Sequence, residues 1–590
     1  MARNKYDIDE ELESPFSLVH FKRSLRYIKK YRGQMAFAFA INCFAIAMML
    51  TTPMITKHIL DVCIPNKDIR TMVLLVLLMI AVIAVNIFIV TVRSRIMARV
   101  GQKVIYDIRS DLFAHLQRLP FTYYDDRPHG KILVRVVQYI NSVSDMLSNG
   151  IINFVLDFVN LVFITIFMFT VSDWRLASVV LVSGPLLIIY LSVIRPAQRR
   201  AYIRLSAKNS NLNAYLHESI NGIKITQLFA REEVNKGIFN VQSQNVRKSY
   251  LKSMYVSNLV GVGVDNIGQW AIAGIYLVGV FMLVPSVSFG TIVAMGNYNW
   301  RFWQPINQLS VIYNNFINTI AYLERIFDTM DEPVKIKDAP DAYELPPIQG
   351  RVEFKNVVFG YDENIVLDNV SFVVNPGESV ALVGPTGAGK TTIVNLLSRF
   401  YDINSGQILI DGHDIQKVTL HSLRSQMGIM LQDSFIFSGT IADNIRYGKL
   451  DAEDGDVLRA CSAVHVEEFI HEMADGYETE VNERGTRLSQ GQKQLVSFAR
   501  TLISDPKILV LDEATSSIDT KTERHVQDGI AQLLKGRTSF IIAHRLSTIR
   551  SCDKIMYIGN KNIAECGTHE ELMAQKGEYY RLYTSQLEEM

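Results

Sequence analysis

Two stretches of this sequence combine residue types that could do chemistry on a nucleotide. Val380-Ala-Leu-Val383 is an apolar run of strand type. Gly384, Pro385, Thr386, Gly387, Ala388, Gly389, Lys390, Thr391 and Thr392 follow at once, and Ile393–Phe400 then carries a helical pattern. A strand, the spacing G-x-x-x-x-G-K-S/T and a helix make a loop whose backbone N–H groups surround phosphates. Glycine lets the chain approach closely, and a helix N-terminus favours negative charge. Lys390 should reach the β and γ phosphates, and the Thr391 hydroxyl should ligate Mg²⁺. Further on, Ile508–Leu511 is an apolar run ending in two carboxylates, Asp512 and Glu513. Such a run reads as a buried parallel strand, and open α/β sheets bind ligands at the C-terminal ends of their strands. Asp512 suits the surroundings of Mg²⁺. Glu513 suits a general base that takes the proton of an attacking water.

These residues sit in the second half of a chain of 590 residues, long enough for two or three units. The apolar runs lie before about residue 310, and the remainder reads like a soluble domain. The net charge of +1 gives no reason to expect a nucleic-acid partner. Cys43, Cys63, Cys461, Cys552 and Cys566 are scattered, odd in number and without CxxC spacing, which fits neither a disulfide framework nor a cysteine zinc site. The charged first thirty-odd residues and the span-length first apolar run do not form a secretory signal pattern.

A helix that crosses a bilayer needs about 20 mostly apolar residues. Runs near 34–56, 71–92, 146–172, 176–194, 261–284 and 288–310 meet that need and imply six membrane helices, with Pro285–Ser288 as a tight outer turn. Lys and Arg crowd the N-terminus, Arg93–Arg135 and Arg195–Lys252, so those segments, both termini and the C-terminal half should face the cytoplasm. The two inner segments have helical composition. The membrane helices should therefore run well into the cytoplasm, with short crossings near Pro120–Gly130 and Asn221–Gln227 that could touch a soluble domain. Phe16–Tyr31 alternates basic and apolar residues and suits either an amphipathic helix on the membrane surface or a solvated one. The expected division is a membrane domain over 1–330, a Pro- and charge-rich linker over 331–350, and an α/β nucleotide-binding domain over 351–590.

Polar residues inside a spanning helix are costly and often functional. Asn153, Asp157 and Asn160 share one helix face, Asp265 and Gln269 form a second polar pair, and Asn297, Arg301, Gln304 and Gln308 form a stripe beside Trp300 and Trp303, with Pro305 as a kink. They suit the lining of a polar cavity that handles cargo. The competing arrangement pairs Asp157 or Asp265 with Arg301 to hold helices together.

Further motifs complete a resemblance. Leu488-Ser489-Gln490-Gly491-Gln492 resembles the signature motif of ATP-binding cassette (ABC) proteins. Gln432 resembles their Q-loop residue, Ser516–Asp519 their D-loop, and His544 their switch histidine. Tyr361 resembles their adenine-stacking aromatic, and Thr479–Gly485 the X-loop of exporters. The six spans and Leu119–Asp125 extend the likeness to an exporter-type half-transporter over nearly the whole chain. That likeness implies a P-loop NTPase fold joined to an all-α membrane domain. It also implies a dimer in which each ATP lies between one phosphate loop and the other subunit's Ser489, Gly491 and Gln492. Gln432 would touch the metal or water, His544 would hold the γ-phosphate, and Asp519 would belong to the same site. Glu513 and His544 are intact, but the signature has Gln490 in place of the usual glycine, the X-loop has Asn482, and the D-loop has Ser517 and Ile518. The altered signature leans towards a heterodimer over a homodimer. The implied cargo is an amphipathic drug-like or lipid-like molecule, with peptide export as the rival and an ATP-gated channel as a different class. A bacterial cytoplasmic membrane is the expected location.

Overall fold

The computed structural model describes residues 18–125, 129–171, 173–283, 286–361, 364–430, 434–512, 520–542 and 546–588. The chain divides into two compact units, 1–117 with 127–332, and 118–126 with 333–590.

The first unit is helical. Five of its helices, Arg32–Cys63, Ile69–Leu116, Ile132–Thr170, Trp174–Asn221 and Glu232–Met282, are long and apolar enough to cross a membrane. A further long helix, Phe289–Asp331, carries Asn297, Asn299, Arg301 and Gln304 in its first half and is not among those five. Its Met295, Tyr298 and Trp303 are nevertheless buried in one apolar core with Leu50, Ile164, Val180, Val264 and Ile275. The Tyr298 hydroxyl also donates to the Leu50 carbonyl at 2.8 Å. Local signals set the helix starts. Asp68 accepts from Thr71 N–H at 3.1 Å, Asp173 from Arg175 N–H at 2.8 Å and Ser288 from Thr291 N–H at 3.3 Å, while the distant Asp61 also accepts from Gly290 N–H at 2.8 Å. Leu74, Leu77, Ile80 and Phe88 on the second helix are exposed, which water would penalise and lipid would not. The second and fourth helices are 48 residues each, about 72 Å at ~1.5 Å per residue, against a hydrocarbon core of about 30 Å. Length alone therefore carries them well beyond the bilayer.

The N-terminal helix Leu18–Lys29 packs one side against protein. Its aromatic side packs on the end of Phe289–Asp331, with His20 stacked 5.8 Å from Phe327 and Phe21 edge-on to Phe316 at 5.0 Å. Arg23 pairs with Asp331 at 2.6 Å, and Tyr27 donates to Asp111 at 2.9 Å. The aromatic members of the alternation serve packing against the longer helix Phe289–Asp331.

The second unit is α/β. Strands β1 (Val352–Tyr361), β2 (Asn364–Val374), β4 (Ser405–Ile410) and β5 (His413–Asp414) form an antiparallel sheet in the order β2-β1-β4-β5. The second sheet contains β3 (Ser379–Val383), β6 (Met427–Met430), β9 (Ile508–Asp512), β10 (Thr538–Ile542), β11 (Lys554–Gly559) and β12 (Asn562–Gly567). Its order is β12-β11-β3-β10-β9-β6, parallel except at the β12 edge. A short pair, β7 (Gly439–Thr440) with β8 (Glu480–Val481), stands apart. β3, β9 and β10 are nearly continuous apolar runs because helices or the other sheet cover both faces. Phe354, Phe372 and Phe540 pack between the sheets, Phe354 stacking on Phe372 at 4.4 Å.

Candidate active site

β3 ends at Val383, and its chain enters the loop 384–389 before the helix Lys390–Leu397 begins. Gly384 has φ +142°, and a Cβ there would lie 2.3 Å from the Ile558 carbonyl oxygen, so only glycine fits. Gly389, at φ +105°, starts the helix without any side chain capping its first N–H groups. Around Gly387 a Cβ would meet nothing within 4 Å, which leaves the mouth of the loop open. Pro385, Thr386 and Thr391 are exposed, Ala388 is half-buried, and Gly389, Lys390 and Thr392 are buried. The result is a solvent-exposed loop leading into a helix whose first N–H groups no side chain caps.

The Lys390 ammonium folds back over this loop and donates to the carbonyls of Gly384 at 2.8 Å and Pro385 at 3.0 Å. Burial lowers its pKa, and the nearby charge of Asp512 acts in the opposite direction. Register explains the proximity. Ile542 of β10 pairs with Leu382 of β3 on one side and with Asp512 of β9 on the other. Asp512 thus stands two strand spacings, about 10 Å, from the strand that feeds the loop. The oxygen donors available, the Thr391 hydroxyl and the Asp512 carboxylate, are the hard ligands that Mg²⁺ requires, so the residues fit that ion.

Tyr361 closes another side. Its hydroxyl lies 3.4 Å from that of Thr392, and its ring meets Tyr401 edge-on at 5.2 Å. The Tyr401 hydroxyl in turn donates to Asp125 at 3.1 Å, and Phe121 packs 4.6 Å from Phe400. The short helix Phe121–Asp125, part of the first inner crossing, therefore packs within the nucleotide unit, two aromatic rings away from the loop helix.

Ser489 caps the helix Gln490–Ile503. It accepts from Gln492 N–H at 3.2 Å, while the Gln492 side chain accepts from Ser489 N–H at 2.9 Å. The cap uses the acceptor side of the Ser489 hydroxyl and leaves its proton to donate. Gly491 is buried and the unusual Gln490 is exposed. Gln432, Glu513, Ser516 to Asp519 and His544 lie outside the described residues. Their flanking strands β6, β9 and β10 end at Met430, Asp512 and Ile542, on the same sheet as the loop strand β3.

Sequence reasoning missed Arg500. It reaches from the signature helix to donate to the carbonyls of Asn444 and Phe435 and to the Asn444 side chain, each at 2.8 Å. It thereby ties that helix to the segment that follows residues 431–433. The only hint in the sequence was an Arg in the last turn of an amphipathic helix.

In the helical unit Asn153, Asp157 and Asn160 are half-buried. Arg93 donates to Asn153 at 3.1 Å and interacts electrostatically with Asp157. The cation facing Asp157 is thus Arg93, which the sequence offered only as the charge ending a span, and not Arg301. Asp265, Gln269, Asn297, Gln304 and Gln308 are exposed and Arg301 is half-buried. Ile223, Ile225, Leu228 and Phe229, at the second inner crossing, are exposed apolar residues.

A phosphate loop on a parallel sheet, joined to long lipid-compatible helices, defines an ATP-hydrolysing membrane transporter. The chain belongs to the ABC transporter family. The family described as ABC transporter transmembrane region matches residues 35–300, and that described as ABC transporter matches residues 367–516. The chain is 40% identical to the uncharacterized ABC transporter ATP-binding protein YknV of Bacillus subtilis, over 99% of this chain and 98% of that protein. It is 34% identical to the ATP-dependent lipid A-core flippase of Syntrophus aciditrophicus, over 100% of this chain and 98% of that one. A solved bacterial Atm1-family ABC exporter with ATP bound superposes with a TM-score of 0.79 at 29% identity, covering 94% of this chain and 98% of the other.

Proposed function

We propose that this chain is half of a dimeric exporter that uses ATP to move amphipathic, lipid-like molecules across a bacterial cytoplasmic membrane, with both termini in the cytoplasm. The observation that carries the reading is the open phosphate cradle at 384–391, fixed by Gly384 and overhung by Lys390, in a chain whose helices are apolar on their outer faces. Export of a lipid-like cargo is supported by the match to a lipid A-core flippase and to an exporter fold over nearly the whole chain. In this reading Phe289–Asp331 is the sixth crossing, and the polar residues Asn153, Asp157, Asn160, Asp265, Gln269, Asn297, Arg301 and Gln304 line the cargo path.

Loop N–H groups and Lys390 bind the β and γ phosphates, and Tyr361 stacks on the base. Thr391 and Asp512, with Gln432, would hold Mg²⁺, which would neutralise phosphate charge. Glu513 takes a proton from the attacking water, and His544 orients the γ-phosphate. Ser489 and Gly491 of a second subunit close over the nucleotide, with the Ser489 proton donating to phosphate, and Asp519 lies at the same junction. Losing the γ-phosphate removes the charge that holds the two halves together, so ATP biases a two-state interface by differential affinity. Phe121–Asp125, packed on Phe400 and Tyr401, links this event to the second membrane helix. The exposed apolar tip at Ile223–Phe229 needs cover, which a second subunit supplies.

Glu513→Gln should retain ATP binding and abolish hydrolysis, trapping closed dimers. ATP turnover near the normal rate would remove Glu513 from the role of base. ATP-dependent uptake of fluorescent lipids and dyes into inside-out vesicles tests direction and cargo together. Uptake confined to peptides would overturn the lipid-like reading. Gln490, in place of the usual signature glycine, favours a heterodimer, and robust ATPase activity of the chain purified alone would argue for a homodimer.

A further inference from the structure

His465, Glu468 and His525 meet on the nucleotide unit, away from the phosphate loop in sequence and assigned to nothing above. Their ligand atoms all lie within 4.8 Å of one another. Glu468 spans the pair, one carboxylate oxygen 3.4 Å from His465 Nδ1 and the other 3.1 Å from His525 Nε2. The two imidazoles are 5.4 Å apart, centroid to centroid. We propose that His465, Glu468 and His525 form a site for a divalent transition-metal ion, Zn²⁺ by preference.

The chemistry of the donors argues for this class of ion. Two imidazole nitrogens and one carboxylate suit Zn²⁺ and its neighbours, whereas Mg²⁺ and Ca²⁺ require oxygen ligands. A tetrahedral ion with ligands at about 2.0–2.1 Å needs donors roughly 3.3 Å apart. The two imidazole–carboxylate distances, 3.4 and 3.1 Å, run to different oxygens of Glu468, and with one ligand atom per residue the donors lie within 4.8 Å of one another, so side-chain rotation has to draw them in to close the triangle, leaving a fourth position for water.

The scaffold is firm although the ligands reach solvent. Val464, Val466, Phe469 and Val526, beside the three ligands in sequence, are buried in the core of the unit. His465 also has a left-handed backbone, φ +57°, which turns the chain sharply between the helix Asp454–Ala463 and the short helix Glu467–Ile470 that carries Glu468. His525 comes from Thr520–Leu534, the helix that follows residues 513–519. An ion here fastens that helix to the 464–468 turn, and so restrains the element next in the chain after Glu513 and Asp519.

The test uses the full-length chain in detergent, stripped with chelator and titrated with Co²⁺. The expected result is a saturable visible d–d absorption band, one ion per chain, displaced by Zn²⁺, with a higher thermal midpoint in the loaded protein. Loss of a residue that only supports a ligand weakens metal binding ~10–100-fold. His465→Ala, His525→Ala and Glu468→Gln, which remove ligands outright, should each weaken Co²⁺ binding at least about 10-fold. ATP affinity, measured in parallel, should stay unchanged and verify folding. Absence of the band, or a band of equal affinity in all three variants, overturns the proposal.

Discussion

Replacing Lys390 by methionine isolates one contact in the phosphate cradle. The lysine side chain is buried, and its ammonium donates to two loop carbonyls, Gly384 O at 2.8 Å and Pro385 O at 3.0 Å. Methionine keeps most of the volume, so packing is largely preserved. The abandoned carbonyls border an open, partly exposed loop and can be hydrated, so the cost to the empty protein is small. With ATP the comparison changes, because the ammonium exchanges neutral carbonyl acceptors for anionic phosphate oxygens. The ammonium's bonds to carbonyls are already charge-assisted, so the gain is the added attraction between opposite charges, about 1–1.5 kcal/mol for each of the two bonds exchanged. A loss of about 2–3 kcal/mol follows, which is roughly 30- to 150-fold in Kd. Calorimetric titration of Mg·ATP into the purified chain, with the thermal midpoint as a folding control, reads this directly. The wild-type pH profile gives a second handle. Because burial lowers the Lys390 pKa below its ordinary 10.5, the ammonium loses its proton at lower pH than a free lysine would. Affinity should therefore fall as pH rises on the alkaline side, and the methionine variant should lack that limb. A Kd within twofold of wild type, or the same alkaline limb in Lys390→Met, would refute the assigned role.

Other perturbations have equally defined outcomes. Arg500→Ala removes the donor to the Phe435 and Asn444 carbonyls and one of the two donors to the buried Asn444 Oδ1, which keeps its bond from Phe437 N–H at 2.9 Å, so the nucleotide unit should lose about 1–3 kcal/mol, read as a lower thermal midpoint. Burial, reinforced by the charge of Glu467 and opposed by the neighbouring Tyr477 hydroxyl, pushes the Cys461 thiol up to about 12 from 9.0. The folded protein holds that proton more tightly than the unfolded chain. This contribution to stability is present in full below pH 9 and is lost as pH climbs from there towards 12. Mass spectrometry should find Cys461 unalkylated at pH 8 until denaturant is added. Arg93→Gln should destabilise the helical unit by about 1–2 kcal/mol by leaving the half-buried Asp157 without its cation, and adding Asp157→Asn should restore much of the loss in a double-mutant cycle of thermal midpoints.

The phosphate loop was legible in the sequence because its requirements are local. A strand, glycines at fixed offsets, a lysine and a helix are neighbours in the chain, and φ values such as +142° at Gly384 admit little else. The apolar runs were legible for a similar reason, since a bilayer sets the length of each helix separately. The polar stripe over Asn297 to Gln304 marks where that criterion blurs, because Phe289–Asp331 is held by packing around Tyr298 as well as by its apolar content.

Relations between distant residues had to wait for the fold. Insertion of β10 between β3 and β9 brings Asp512 towards Lys390, and strand order is a global property of the sheet. The partner of Asp157 is Arg93, which no spacing rule singles out among the arginines that end spans. The N-terminal helix shows the pattern of a membrane-surface segment yet binds Asp331 and Phe327, because an apolar stripe records only that burial is needed and not against what. The His465, Glu468 and His525 cluster spans sixty residues of chain and has no motif, so only the packing of Thr520–Leu534 beside the 464–468 turn brings it together. Local backbone demands and solvent preference are written residue by residue, whereas long-range pairing is settled by which of many compatible packings fills the core.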